Sequence, residues 1–130
     1  MIVGHLVAAA GLVASGLLHL YLAPDFDLVG EDITVGTLFR LQGVVAIADA
    51  VWLLARRRDR LPALVALVVG AGSFVALVLS TYVQVPALGP LPELHEPIWY
   101  EEKVASAVAA AVAALAAGAV LVRLQRSRLP

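Results

Sequence analysis

Residues 4–20 read GHLVAAAGLVASGLLHL, an apolar segment interrupted by one serine and two histidines. A helix that crosses a bilayer needs about 20 predominantly apolar residues. The segment extended to residues 2–22 meets that requirement and contains no proline. A cleaved signal peptide would carry basic residues ahead of its apolar run, and this segment has none. We therefore expect a retained membrane-spanning helix.

Three further segments of similar length and character follow, at about 37–55, 61–83 and 101–122. Across all 130 residues, 62% are hydrophobic and 15% are charged, whereas soluble domains average about 45–50% apolar and about 25% charged residues. The sequence therefore predicts one transmembrane domain, residues 1–130. We expect an all-α fold, an integral membrane antiparallel four-helix bundle.

Basic residues predict the orientation of this bundle. They follow the second and fourth spans, at Arg56, Arg57, Arg58, Arg60, Arg123, Arg126 and Arg128, and the segments 23–36 and 84–100 contain no lysine or arginine. Cytoplasmic loops carry an excess of Lys and Arg. We therefore expect a multi-pass protein of the inner membrane with both termini cytoplasmic.

Polar residues recur at seven-residue spacing within the spans. His5 and His19 lie on one face of the first span with Leu12 between them, and Gln42 and Asp49 lie seven apart on the second. In lipid, small and polar residues mark the packed side of a helix. The pattern predicts a bundle with a polar interior.

A rise of ~1.5 Å per residue places several of these side chains within roughly 10 Å of the outer boundary. We predict a ligand-binding pocket there, with Asp49 nearer the middle of the membrane. The candidate residues are His19, Arg40, Gln42, Asp49, Ser80, Lys103 and Ser106.

Asp49 has two interpretations at this stage. An acid within a span costs ~2.5–3.5 kcal/mol on insertion scales and is by default a candidate for function. The alternative is a structural role, in which Asp49 hydrogen-bonds Ser15 or Ser73 and holds helices together. Both interpretations stay open from the sequence.

The histidines raise the question of a metal or a haem. His19, His95 and Glu96 form a candidate set for a divalent ion such as zinc or copper. The fourteen-residue spacing of His5 and His19 matches membrane cytochromes b, but no other span supplies a second axial histidine. The third interpretation places the two histidines at the two membrane interfaces, with no cofactor required.

Other classes of function lack their signatures. There is no cysteine, which excludes disulfides, thiol catalysis and iron–sulfur clusters. No P-loop, GxSxG, HExxH or Rossmann motif is present. The net charge of -1 gives no indication of a nucleic-acid partner. We therefore expect a protein that is not an enzyme.

Three stretches carry a resemblance to known sequences: HLYLAPD at 19–25, GTLFRLQGVVAIADAVWLLARRR at 36–58 and EEKVASAV at 101–108. Together they resemble uncharacterised four-span membrane proteins of high-GC bacteria and salt-loving archaea. The chain is similar to DoxX-like proteins in shape only. The resemblance implies a four-helix fold and no activity, and it assigns no functional residue.

The alanine-rich stretch VASAVAAAVAALAAGAV at 104–120 allows close helix packing. It favours an accessory or assembly component of a membrane complex, whose partners besides lipid are other membrane subunits or a second copy. The first alternative is a carrier of a small ligand, ion or metal with an outward-facing polar pocket. The second alternative is a b-type haem redox protein.

Overall fold

A computed structural model describes residues 2–127, and this part of the chain is all-helical. Its α-helices are α1 (Ile2–Leu22), α2 (Val35–Ala55), α3 (Arg60–Tyr82) and α4 (Glu101–Arg126), with a short 3₁₀ turn at Ala23–Phe26. All four helices are long and apolar enough to cross a membrane. The predicted all-α membrane class is confirmed at this level, and the four spans indicate a multi-pass membrane protein.

Local chemistry explains where two helices begin and end. Helix α2 begins at Val35 rather than at Thr37 because Thr34 caps it, its hydroxyl accepting the Thr37 backbone N–H at 3.1 Å. Helix α4 runs past the predicted position 122 to Arg126. Arginines in its last turn are favourable there because they face the negative end of the helix dipole.

The helices contact each other in the order α2–α1–α4–α3, with few contacts between α2 and α3. Residues with short side chains occupy the buried interior, including Ala8, Ala46, Ala113 and Ala117. Helix α1 hardly touches α3. The packing is therefore tight on both sides of the α1–α4 pair and loose along the seam between α2 and α3.

Two glycines bring neighbouring helices onto the backbone of α4. A Cβ on Gly11 of α1 would lie 2.8 Å from the Ala109 carbonyl oxygen, and one on Gly70 of α3 would lie 2.8 Å from that of Ala110. Such small residues let transmembrane helices approach closely. The alanine-rich face of α4 is therefore used inside the chain.

Hydrogen bonds between segments define two ends of the molecule. At one end, the Ile33 N–H donates to the Pro90 carbonyl at 3.1 Å, which joins the two long connecting segments. At the other, His5 Nε2 donates to the Arg57 carbonyl at 2.9 Å, which joins the start of α1 to the α2–α3 loop. We name these the acidic end (residues 23–34 and 83–100) and the basic end (residues 2–5, 56–60 and 123–127).

The close approach at Gly11 leads to the first prediction. Gly11→Ala forces the α4 backbone to shift and should lower the free energy of unfolding by about 1–3 kcal/mol. Gly118→Ala is the control, because a Cβ on Gly118 would have no neighbour within 4 Å. The control should be neutral or gain up to about 1 kcal/mol of helix propensity. Reversible unfolding in mixed micelles measures both, and equal effects would contradict the packing described.

A candidate ligand site at the acidic end

A cavity of about 480 Å³ lies at the acidic end, in the seam between α2 and α3. Its volume falls in the range of about 300–1,000 Å³ that small-molecule sites occupy. Phe26, Phe39, Leu38 and Leu77 provide much of its apolar wall. Its polar lining consists of His19, Gln42, Ser73, Ser80, Glu93, His95 and Glu96. We call this the acidic-end cavity.

His19 is held in one orientation on the wall of this cavity. Its Nδ1 lies 2.8 Å from the Ser15 carbonyl oxygen and 3.3 Å from Ser106 Oγ, and its ring meets Phe39 edge-on at 4.9 Å. A carbonyl only accepts, so Nδ1 carries a proton, and Nε2 of the neutral ring carries a lone pair. Within residues 2–127, no hydrogen bond engages that lone pair.

Gln42 connects three helices at the same level. Its Nε2 donates to Ser15 Oγ of α1 at 3.3 Å and to Ser73 Oγ of α3 at 3.0 Å. Its Oε1 is buried and has no hydrogen-bond partner in the described part of the chain. In the part of the chain that the structure describes, Gln42 Oε1 and His19 Nε2 therefore both remain acceptors without a hydrogen-bond donor.

Lys103 does not line the cavity, but it holds a segment whose residues 93–96 do. Its Nζ donates to the backbone carbonyls of Glu96 at 2.7 Å and Ile98 at 3.1 Å, and it lies 5.1 Å from the centre of the Trp99 ring. The Glu96 carboxylate pairs with it at 3.4 Å and accepts the Tyr100 hydroxyl at 3.1 Å. Burial, and then the neighbouring Glu96, raise the pKa of Tyr100. Only 1% of Lys103 is exposed, and Glu96 provides the opposite charge that a buried ammonium group needs.

The structure brings together part of the predicted site. His19, Gln42, Ser80, His95 and Glu96 line one cavity, and Ser80 donates to the Leu77 carbonyl at 2.9 Å. Lys103 and Ser106 do not line it, but each hydrogen-bonds a residue that does, Glu96 and His19 respectively. Arg40 and Asp49 do not line it.

Arg40 instead forms an exposed pair with Asp27. Its two guanidinium nitrogens donate to the two carboxylate oxygens at 2.6 and 2.9 Å. These hydrogen bonds hold the pKa of Asp27 below its usual value. The pair ties the segment after the 3₁₀ turn to the first turns of α2.

The lowered pKa of Asp27 predicts a pH dependence. Above the unfolded pKa of about 3.9 the pair contributes its full stabilisation, which is lost as the pH falls through the lowered folded value. The stability difference between wild type and Asp27→Asn should therefore be constant at neutral pH and vanish in strong acid. Unfolding measured from pH 7 to pH 2 tests this, with exposed Asp25→Asn as the control. A difference that persists in strong acid would contradict the pairing.

Asp49 lies deeper on α2 and lacks the partners expected of it. It is 3% exposed, and neither carboxylate oxygen has a hydrogen-bond partner within residues 2–127. Ser15 and Ser73, its expected partners, bind Gln42 instead, because Asp49 lies seven residues and therefore about 10 Å further along the helix. The proposed hydrogen-bonded link through Asp49 is not present.

Removing an unsatisfied buried group should stabilise the fold. Asp49→Leu should raise the free energy of unfolding by about 1–3 kcal/mol, because it removes the desolvation penalty and keeps the number and branching of the side-chain heavy atoms. Asp49→Asn is the matched control, since an amide leaves polar atoms unpartnered at the same place. Unfolding in mixed micelles measures both variants. A loss of stability in Asp49→Leu alone would show that the carboxyl has a partner.

The predicted metal and haem sites gain no support from this geometry. Within residues 2–127, no group of three or more His, Asp or Glu side chains could hold a metal ion. Zinc sites use three or four protein ligands, whereas Glu96 is engaged by Lys103 and Tyr100. A haem on His5 or His19 would still need a second axial ligand, and α2, α3 and α4 contain no histidine.

The apolar wall of the cavity was not predicted from the sequence, and Ser73 and Glu93, which line it, were not among the predicted ligand-binding residues. The position of Phe39 could have been predicted, because it precedes Gln42 by three residues and so shares its face of α2. No known family matches the chain, and no curated protein or solved structure matches it. The resemblance to four-span proteins stays a prediction.

Proposed function

We propose that this membrane protein binds a small ligand with an apolar body and a head that donates hydrogen bonds. One observation carries the proposal: within residues 2–127, His19 Nε2 and Gln42 Oε1 are both acceptors without a hydrogen-bond partner, on residues that line one largely apolar cavity. Gln42 Oε1 is also buried, and an unsatisfied buried polar group costs about 1–3 kcal/mol. A ligand hydroxyl or ammonium would remove that cost at Gln42 and could donate a second hydrogen bond to His19.

The charges and walls of the cavity support the same class of ligand. Glu93 and Glu96 both contribute carboxylates to the lining, and only that of Glu96 is paired with a cation, Lys103, so the remaining negative charge of Glu93 disfavours an anionic head. Phe26 and Phe39, whose ring centres lie 4.9 Å apart, offer an aromatic surface to an apolar body. An alcohol or amine therefore fits better than a carboxylate of the same skeleton.

The position of the cavity supports entry from within the bilayer. It lies in the loosely packed seam between α2 and α3, where the small residues Gly72 and Ala76 are exposed and line it. A Cβ on Gly72 would have no neighbour within 4 Å. A hydrophobic ligand dissolved in lipid would pass between these helices.

The proposal includes an antiparallel bundle in the inner membrane with both termini cytoplasmic. The contacts that join the segments at each end favour antiparallel neighbours, and the arginines of the basic end favour a cytoplasmic location under the positive-inside rule. The acidic-end cavity would then face outward.

Filling the cavity tests the proposal. Gly72→Leu places a side chain into open space on the cavity wall, so it should weaken binding of 4-phenylbutan-1-ol at least about tenfold without unfolding the protein. Gly118→Leu is the matched control, because it also adds a side chain in open space but lies outside the cavity. Isothermal titration of the full chain in nanodiscs measures the affinity.

The ligand selectivity of the wild-type protein provides a second test of the same proposal. The wild type should bind 4-phenylbutan-1-ol and 4-phenylbutylamine at least about tenfold more tightly than 4-phenylbutyrate, because the carboxylate adds acceptors and negative charge. Equal affinity for all three compounds, or equal loss in Gly72→Leu and Gly118→Leu, would contradict the proposal.

The accessory or assembly role stays a prediction. That role was predicted from the alanine-rich face of α4, and this face packs against Gly11 and Gly70 within the chain. The residues of α4 that remain exposed are larger, such as Val108, Val112 and Leu115. Lipid chains cover such a surface as well as a partner helix does.

A further inference from the structure

A second, larger cavity of about 890 Å³ lies at the basic end, away from the cavity described above. The first turn of α1, the α2–α3 loop and the last turns of α4 enclose it. Its charged lining consists of Arg56, Arg57, Arg58, Asp59 and Arg123. We call this the basic-end cavity.

Positive charge dominates the basic-end cavity. Asp59 is its one carboxylate among the described lining residues, against four guanidinium groups. Within residues 2–127, the ion pairs of the protein are Asp27–Arg40 and Glu96–Lys103, so no carboxylate pairs with Arg56 or Arg123. A concave surface lined by one sign of charge concentrates its potential and attracts counter-ions.

The start of α1 adds to this potential. Val3, Gly4 and His5 line the cavity, and the first turn of α1 contains no acidic residue. Backbone N–H groups at a helix start lack partners within the helix and carry a partial positive charge. The dipole of α1 therefore adds to the positive potential that the arginines create.

Membrane topology alone does not explain the convergence of arginines on the cavity. The positive-inside rule requires basic residues on this side of the protein, and Arg60 and Arg126 satisfy it without lining the cavity. Arg56 and Arg123, from two distant parts of the sequence, line it together. Guanidinium groups bind phosphate through paired, planar hydrogen bonds.

We propose that the basic-end cavity binds a phosphate group, carried by a membrane phospholipid or by a small soluble phosphate compound. The apolar residues of its wall, among them Val3, Val120 and Leu124, would contact the glycerol and upper acyl region of a lipid. This site shares no residue with the acidic-end cavity, so it stands independently of the ligand proposed there.

Two double variants with the same change of charge test the proposal. Arg56→Gln with Arg123→Gln removes two guanidinium groups from the cavity. Arg60→Gln with Arg126→Gln removes two from the same end of the protein but outside the cavity. Native mass spectrometry of the full chain in detergent would measure binding of phosphatidylglycerol and of phosphatidylcholine.

The wild type should bind phosphatidylglycerol in preference to phosphatidylcholine or, if its ligand is soluble, bind inorganic phosphate. The cavity variant should bind the preferred probe roughly 30-fold more weakly, and the control variant should change less than about threefold. Competition by inorganic phosphate at constant ionic strength separates the two sources. Displacement of the lipid by phosphate indicates a soluble ligand, and retention of the lipid indicates a headgroup site.

Two results would overturn the proposal. One is that the two double variants bind the preferred probe equally weakly, or both as tightly as the wild type, because binding would then depend only on general surface charge or not on these arginines. The other is a wild type that neither prefers the anionic lipid nor binds inorganic phosphate. The second result depends on no variant, so a cavity variant that fails to fold leaves the proposal testable.

Discussion

The close approach of α1 and α3 to the backbone of α4 determines the rest of the structure. Gly11 and Gly70 place their backbones against α4 at distances that leave no room for a side chain. Lipid supplies no hydrophobic force between helices, so such packing is a main source of their association. With α4 held on both sides, α2 reaches the bundle through α1 and meets α3 along a loose seam, and that seam contains the acidic-end cavity.

Polar contacts connect the helices around this seam. Ser15, His19 and Ser106 join α1 to α4, and Gln42 joins α2 to Ser15 and to Ser73 of α3. Hydrogen bonds between transmembrane helices contribute on the order of 0.6–2 kcal/mol each. Within residues 2–127, the Gln42 amide nitrogen donates to both serines, whereas Gln42 Oε1 and His19 Nε2 accept no hydrogen bond. This imbalance defines the chemistry of the ligand that we propose.

The sequence predicted the helices because apolar length and proline position are local properties. It also predicted that His19 and Gln42 lie near each other, because both belong to polar faces at similar depth. Arg40 was predicted to line the pocket because only its position along the helix axis was considered, and not its angle around that axis. Two successive residues advance this angle by about 200°, so Arg40 and Gln42 lie on opposite faces of α2. Arg40 accordingly points to Asp27 at the surface.

Other parts of the site depend on the course of the 83–100 segment, which has no periodic pattern. The backbone carbonyls of Glu96 and Ile98 accept hydrogen bonds from Lys103, so a residue predicted to contact a ligand instead holds the segment that lines part of the cavity. Asp49 shares the face of Gln42 but lies among apolar residues about 10 Å away. Tertiary contacts of this kind are not encoded in spacing along one helix.

The absence of cysteine allows the account to be tested at single positions. The most direct measurement is labelling of Ser73→Cys and Ser127→Cys by a membrane-impermeant methanethiosulfonate reagent in intact cells. The account predicts that Cys at 73 reacts from outside through the acidic-end cavity, and that Cys at 127 reacts only after the membrane is permeabilised. An unreactive position 73, or a position 127 that reacts from outside, would contradict it.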